Sequence, residues 1–162
     1  MGIQMKTILL VEDDPRDVEL TLTALAEYQL AEQVEVVGDG AEALDYLYRR
    51  GRFQARPEGN PVVTLLDLKM PKVNGLEVLK AIKADAQLKI LPLVMLTSSR
   101  EEPDLIACYQ LGVNAYVVKP VDFTEFLNAV KGLGAFWAVL NEPPPGSVSK
   151  PVAPVKRHAD SA

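Results

Sequence analysis

The 162-residue chain holds a single cysteine, Cys108, and a single histidine, His158. One thiol excludes an internal disulfide and a thiolate metal cluster, and Cys108 reads as a small apolar filler on a helix. Long hydrophobic runs are missing too: none approaches the ~20 residues that cross a bilayer. The start, Met1-Gly2-Ile3-Gln4-Met5-Lys6, lacks the apolar core of a secretory signal and places Lys6 where a myristoylation motif needs Ser or Thr. These absences point to a cytoplasmic protein with no membrane partner. Positive charge is scarce, with 17 Lys and Arg against 22 Asp and Glu for a net charge of −5. Neutralising a phosphate backbone takes a dense basic face, so direct nucleic-acid binding is not expected. Nor does a glycine-rich turn follow the first apolar run. Glu12-Asp13-Asp14 stands there instead, which argues against a nucleotide-binding loop.

What is present is a regular alternation. Apolar runs at 7–11, 34–37, 62–67, 92–96 and 115–118 read as buried strands, each followed by a stretch of helical periodicity. The first helix is expected over 15–30, with Asp14 as its cap, Pro15 in its first turn, and Val18, Leu22 and Leu25 inward. The second should turn Leu44, Leu47 and Tyr48 to one face, and the third, over 74–85, should bury Leu76, Leu79 and Ile82. The fourth opens at Pro103 with Leu105, Ile106 and Tyr109 as its stripe and closes at Leu111-Gly112. The fifth runs from 122 to 140 with Phe123, Phe126, Leu127 and Val130 inward. Five strands alternating with five helices call for an α/β domain with a parallel sheet covered on both faces. The expected organisation is an N-terminal extension at 1–6, a domain at 7–140 and a Pro-rich unstructured tail at 141–162. A loop at 51–61 is long for its kind.

The domain is organised around Leu65-Leu66-Asp67-Leu68-Lys69-Met70-Pro71. A central apolar strand there delivers a carboxylate to its own C-terminal tip, the edge where open α/β sheets hold ligands. Glu12 and Asp13 end the first strand, Thr97 the fourth, and Lys119 the fifth. Three crowded carboxylates repel one another. A hard divalent cation resolves this, and an all-oxygen donor set suits Mg²⁺. Carboxylates, metal, hydroxyl and ammonium together suit a phosphoryl group on Asp67. Each residue alone is more often a cap, a turn or a solvated charge; the joint placement, at the tips of separate strands on one edge, carries the reading.

The pieces Ile8-Leu9-Leu10-Val11-Glu12-Asp13-Asp14, Leu66-Asp67-Leu68-Lys69-Met70-Pro71 with Gly75, Leu96-Thr97-Ser98 and Ala115-Tyr116-Val117-Val118-Lys119-Pro120 resemble a receiver domain of two-component response regulators. That resemblance implies a flavodoxin-like fold, a doubly wound five-stranded parallel sheet of (βα)5 type in three layers. It implies that Asp67 accepts a phosphoryl group from a histidine kinase and that the domain promotes its own Mg²⁺-dependent phosphorylation and dephosphorylation, acting as a signalling module and not as an enzyme. Asp13, Asp67 and the Lys69 carbonyl would ligate Mg²⁺, with Glu12 acting mainly through water. Glu12 stands where many members have Asp. Thr97 and Lys119 would bind the phosphoryl oxygens, Thr97 and Tyr116 would form the switch, and Lys69 and Ser99 would tune the attack of water. The Lys119–Pro120 bond would be cis by the same analogy.

No second apolar domain follows residue 140, so the expectation is a stand-alone receiver that signals by binding partners. Phe136 and Trp137, near the end of the last helix, are candidate interface residues. Together with Asn141-Glu142-Pro143-Pro144-Pro145 and the 51–61 loop, they are similar to the small response regulators paired with bacterial and cyanobacterial phytochromes. That likeness implies a light-sensing histidine kinase as partner, and a homodimer. Two rivals remain. A haloacid-dehalogenase phosphatase needs a second aspartate where Lys69 stands, and a degenerate receiver would lack part of the acid, hydroxyl and lysine set. His158, in the tail, reads as inert.

Overall fold

Runs such as Ile8-Leu9-Leu10-Val11 and Val63-Thr64-Leu65-Leu66 carry no polar alternation, and all eight residues are buried. Strands of that kind need cover on both faces, which parallel sheets with crossover helices provide. The computed structural model describes residues 4–147 and 149–151. In chain order the elements are β1 (Gln4–Lys6), β2 (Ile8–Val11), α1 (Pro15–Ala26), β3 (Val34–Val37), α2 (Gly40–Tyr48), β4 (Val63–Leu66), α3 (Gly75–Ala84), β5 (Leu93–Thr97), α4 (Glu102–Gln110), β6 (Ala115–Val118), α5 (Phe123–Gly134) and β7 (Ser149–Pro151). Strands β3-β2-β4-β5-β6 form one parallel sheet in that order. This is the flavodoxin-like, doubly wound arrangement expected from the sequence.

Alternate residues of each strand feed opposite layers. Leu9, Val11, Leu66 and Met95 pack with Ala43, Leu47, Leu79, Ile82 and Cys108 on the face covered by α2, α3 and α4. Ile8, Leu10, Leu65, Val94 and Leu96 pack with Leu25, Phe126 and Val130 on the face covered by α1 and α5. Because β3 is added on one side of β2 and β4 on the other, the strand order reverses there, and the crevice at the strand C-termini opens between β2 and β4.

Local chemistry sets the helix starts. Asp14 caps α1 by accepting from the Arg16 N–H at 2.8 Å, with Pro15 in the first turn. Asn74 and Glu77 cap α3 reciprocally. The helix faces were less well read. Leu105, Ile106 and Tyr109 of α4 are 37%, 47% and 54% exposed, and Cys108 is the buried residue of that helix. Tyr46, not Tyr48, is the buried tyrosine of α2, and Phe123 stands out in solvent while Phe126 and Val130 are buried.

The chain leaves α5 through a π-helical turn, Ala135–Leu140. A Cβ on Gly134 would meet the Leu25 side chain at 2.5 Å, so this glycine lets α5 approach α1, whereas nothing surrounds Gly132. Trp137 is half-buried against the α1–α5 core layer and meets Phe136 edge-to-face at 5.0 Å. Of the expected interface pair, Phe136 is the exposed member, at 48%.

The stretch after 140 was expected to be unstructured throughout. Up to Pro151 it departs from that reading: Asn60 N–H donates to the Gly146 carbonyl at 3.0 Å, Ser147 bridges Asn60, and β7 pairs antiparallel with β1. The extension before β2 supplies a free strand edge, and an unpaired edge templates pairing. The rest of the expected tail, 152–162 with His158, lies outside the described residues, as do 1–3 and 148. Among the described residues no helix is long and apolar enough to cross a membrane.

Candidate functional site

Backbone bonds at the strand tips place the functional side chains. Glu12 N–H donates to Val37 O at 3.0 Å, Asp67 N–H to Val11 O at 3.0 Å, and Lys119 N–H to Thr97 O at 2.7 Å. Each residue is thereby pinned one step past a strand, at the sheet's C-terminal edge. Gly75 makes the next turn possible: its N–H donates to Leu68 O at 2.8 Å, and a Cβ there would lie 2.2 Å from the Asp67 carbonyl oxygen.

The Lys119 ammonium sits among three carboxylates. Its Nζ donates to Glu12 Oε1 at 2.5 Å, to Asp17 Oδ2 at 2.8 Å and to Asp67 Oδ2 at 3.2 Å. Lys119 and Asp67 are each 9% exposed and Glu12 4%. Glu12 Oε2 also accepts from Asp14 N–H, and Asp67 Oδ1 lies 3.4 Å from Lys69 N–H. Burial pushes the Glu12 carboxyl up to about 7, against the pull of Lys119 and with Asp67 adding to the rise. Burial alone would lower Lys119, but the hydrogen bonds to Asp17 and Glu12 and the charges of Glu12 and Asp67 hold it above its ordinary value. It is a fixed positive charge.

One carboxylate oxygen each from Glu12, Asp13 and Asp67 lie within 4.8 Å of one another. An all-oxygen donor set with one exposed member, Asp13, and room for water fits a hard divalent cation. Lys69 is exposed beside a cavity of about 460 Å³ that Asp13, Met70, Asn74 and Asp104 also line.

A second group adjoins the first. Thr97 is buried, and its Oγ1 accepts from Ser99 N–H at 3.3 Å. The Ser99 hydroxyl donates to Asp104 Oδ2 at 2.6 Å, and the Tyr116 hydroxyl donates to the Ser99 carbonyl at 3.1 Å. The loop after β5 is thus tied to both α4 and β6. Among the residues singled out from the sequence, Glu12, Asp13, Asp67 and Lys119 form one cluster, and Thr97, Ser99 and Tyr116 the other. Phe136 and Trp137 belong to the far element, α5 and its π turn.

Two corrections follow. No peptide bond among the described residues is cis, so Lys119–Pro120 is trans. The trans form of X–Pro is favoured by about 0.5–1 kcal/mol without any help from context. Asp17, an acid in the first turn of α1 and absent from the expected site, is a direct partner of Lys119. The one signal available was the density of acid in Glu12-Asp13-Asp14 and Asp17, since its partner lies 102 residues away.

Comparison with known proteins agrees with this geometry. The family described as response regulator receiver domain matches residues 8–131. Response regulator Rcp1 of Synechocystis sp. is 38% identical over 132 residues, 82% of this chain and 88% of that protein. A solved Mn²⁺-bound form of response regulator Rcp1 superposes with a TM-score of 0.80 at 37% identity, covering 86% of this chain and 99% of that one. The phosphorylated cyanobacterial phytochrome response regulator RcpA superposes with a TM-score of 0.81 at 38% identity, over 86% of this chain and 99% of that one. Bacteriophytochrome response regulator RtBRR is 65% identical with a TM-score of 0.69, over 88% of this chain and 86% of that one. With the family matched over most of its length and a relative 38% identical across 82% of it, the chain belongs to the response regulator receiver domain family.

Proposed function

We propose that this protein is a phosphorylation switch in which Asp67 takes a phosphoryl group from a histidine kinase and relays the signal through protein contacts. The observation that carries the reading is the Asp67 carboxylate, 9% exposed, held by Lys119 beside Glu12 and Asp13 at a strand tip. An Asp67 carboxylate oxygen attacks phosphorus, an O–P bond forms, and the donor's N–P bond breaks with its electron pair leaving on the kinase imidazole. The Lys119 ammonium lies where it can offset charge on the transferred group, and the Thr97 hydroxyl can donate to a phosphoryl oxygen. Glu12, Asp13, Asp67 and the Lys69 carbonyl would hold Mg²⁺, which when bound supplies positive charge against the phosphoryl oxygens. Lys69 and Ser99 flank the site and set how readily water reaches the acyl phosphate.

Thr97 and Tyr116 form the switch. Both are bonded to Ser99, so a pull on Thr97 from a phosphoryl oxygen is felt at Tyr116. Similarity to RcpA and RtBRR supports a phytochrome kinase as the partner, and the net charge of −5 gives no dense basic face for nucleic acid. The exposed apolar side chains Phe136, Val139 and Leu140 support a homodimer through the end of α5.

Intact-mass measurement after incubation with acetyl phosphate and Mg²⁺ tests the core of this. Wild type gains one phosphoryl group, and both Asp67→Asn and chelation of the metal abolish the gain. An unchanged wild-type mass overturns the reading.

A further inference from the structure

The Lys119 ammonium has three N–H donors, and in this structure all three are committed, to Glu12, Asp17 and Asp67. Its contact with Asp17 Oδ2, at 2.8 Å, is shorter than that with Asp67 Oδ2, at 3.2 Å. Phosphorylation can pass the Lys119–Asp67 bond itself to a phosphoryl oxygen, so drawing the ammonium fully onto the group with a second hydrogen bond takes release from Glu12 or Asp17. The side chain of Glu12 is 3% exposed and that of Asp17 25%. Stripping the ammonium from Glu12 would leave a buried charge unpaired, which is costly. Asp17 can turn to water, and in the first turn of α1 it keeps the stabilisation a helix N-terminus gives an anion.

We propose that Asp17 is a positioning residue for phosphoryl transfer: it holds Lys119 toward α1 in the unphosphorylated protein and competes with the phosphoryl group for the ammonium. This rests on the phosphoacceptor role of Asp67. Asp17 touches none of the reacting atoms; it acts through Lys119. Its effect is to hold back phosphoryl uptake and to draw Lys119 away from the acyl phosphate once formed, shortening the life of the phosphorylated state.

The test uses the full chain with acetyl phosphate at saturating Mg²⁺. Donor and Asp67 carboxylate exchange a phosphoryl group: the donor's P–O bond breaks, acetate leaves with the electron pair, and the Asp67 O–P bond forms. Asp17→Asn removes the charge at nearly constant shape. The expected result is uptake about three- to tenfold faster and a phosphoryl half-life lengthened by a comparable factor, the size of one partly exposed charge-assisted bond. Asp17→Glu, which keeps the charge, should stay near wild type. The deciding arm repeats Asp17→Asn in a Lys119→Ala background, or in Lys119→Gln if the alanine variant shows no cooperative thermal transition. Action through Lys119 requires the Asp17→Asn effect to vanish there.

The same factor in both backgrounds would make Asp17 a diffuse charge and overturn the proposal, as would unchanged or slower uptake in Asp17→Asn alone. Wild type that takes up no phosphoryl group overturns the function as well. Wild type that is phosphorylated no differently from Asp17→Asn overturns only the inference.

Discussion

Gly75 and Asp67 are in backbone contact across the turn from β4 to α3. A Cβ on Gly75 would lie 2.2 Å from the Asp67 carbonyl oxygen and 2.8 Å from the Leu68 Cα. Both obstructing atoms are main chain and have no rotamer to escape into. The start of α3 therefore rests directly on the peptide that carries Asp67. Gly75→Ala must push the two apart, and overpacking of this kind costs about 1–3 kcal/mol or more. The variant should unfold at lower temperature, and phosphoryl uptake from acetyl phosphate should fall with it because Asp67 is displaced. Wild-type uptake in a folded Gly75→Ala would show that the site at Asp67 tolerates the shift.

Asp39 provides a pH-dependent contribution to stability away from the acid cluster. It caps α2, accepting from Glu42 N–H at 2.8 Å, and its other oxygen lies 3.3 Å from Lys72 Nζ. The Glu42 N–H, with help from Lys72 and against the effect of burial, holds its carboxyl below the ordinary value of 3.8. A depressed folded-state pKa means that the folded chain binds fewer protons than the unfolded one in that range. The contribution is thus complete above pH 3.8 and lost as pH falls through the folded-state value. Asp39→Ala should cost about 1 kcal/mol at pH 7 by urea denaturation. The gap to wild type should narrow as the pH is taken below the ordinary aspartate range, and a pH-independent gap would assign the cap another origin.

The paired glycines of α5 should respond in opposite senses. Gly134 faces Leu25 at 2.5 Å and Leu30 at 3.3 Å, whereas nothing lies within 4 Å of a Cβ on Gly132. Gly132→Ala should stabilise by up to about 1 kcal/mol, the difference in helix propensity. Gly134→Ala should destabilise by about 1–3 kcal/mol by wedging α5 off α1. Denaturant midpoints of the two variants check both signs, and destabilisation by Gly132→Ala would refute the open surroundings seen here.

The strands and their acidic tips were legible because they depend on local pattern. Val63-Thr64-Leu65-Leu66 can hardly be anything but a doubly covered strand, and Asp67 follows it at once. Lys119 and Thr97 were legible for the same reason, each ending its own apolar run. What escaped depends on partners distant in sequence or on weak periodicity. Asp17 meets a lysine 102 residues away, which no local pattern encodes. The nine-residue α4 has apolar side chains on more than one side, so Leu105, Ile106 and Tyr109 could be read inward although Cys108 is the residue that is buried. The strand at Ser149–Pro151 exists only because Gln4–Lys6 offers an edge. Pro143-Pro144-Pro145 gave a fair account of composition and no hint of that pairing. Gly132 and Gly134 look alike in the sequence, and only the approach of Leu25 separates them.

The end of α5 decides how a self-association test should be built. Trp137, the conspicuous residue in the sequence, is half-buried against the core layer covered by α1 and α5. Truncating a large aromatic there opens a cavity and costs about 3 kcal/mol or more whether or not the protein dimerises. Trp137→Ala therefore confounds loss of fold with loss of partner. Val139 is 58% exposed on the same π turn, beside Leu140 at 75% and Phe136 at 48%. Val139→Glu places a charge on that apolar surface without disturbing the core, so the thermal midpoint should stay close to wild type. If this surface forms the dimer, burying the unpaired carboxylate should weaken self-association about tenfold or more in sedimentation, with and without beryllofluoride as phosphoryl mimic. Equal association constants for wild type and Val139→Glu would exclude the π turn from the interface.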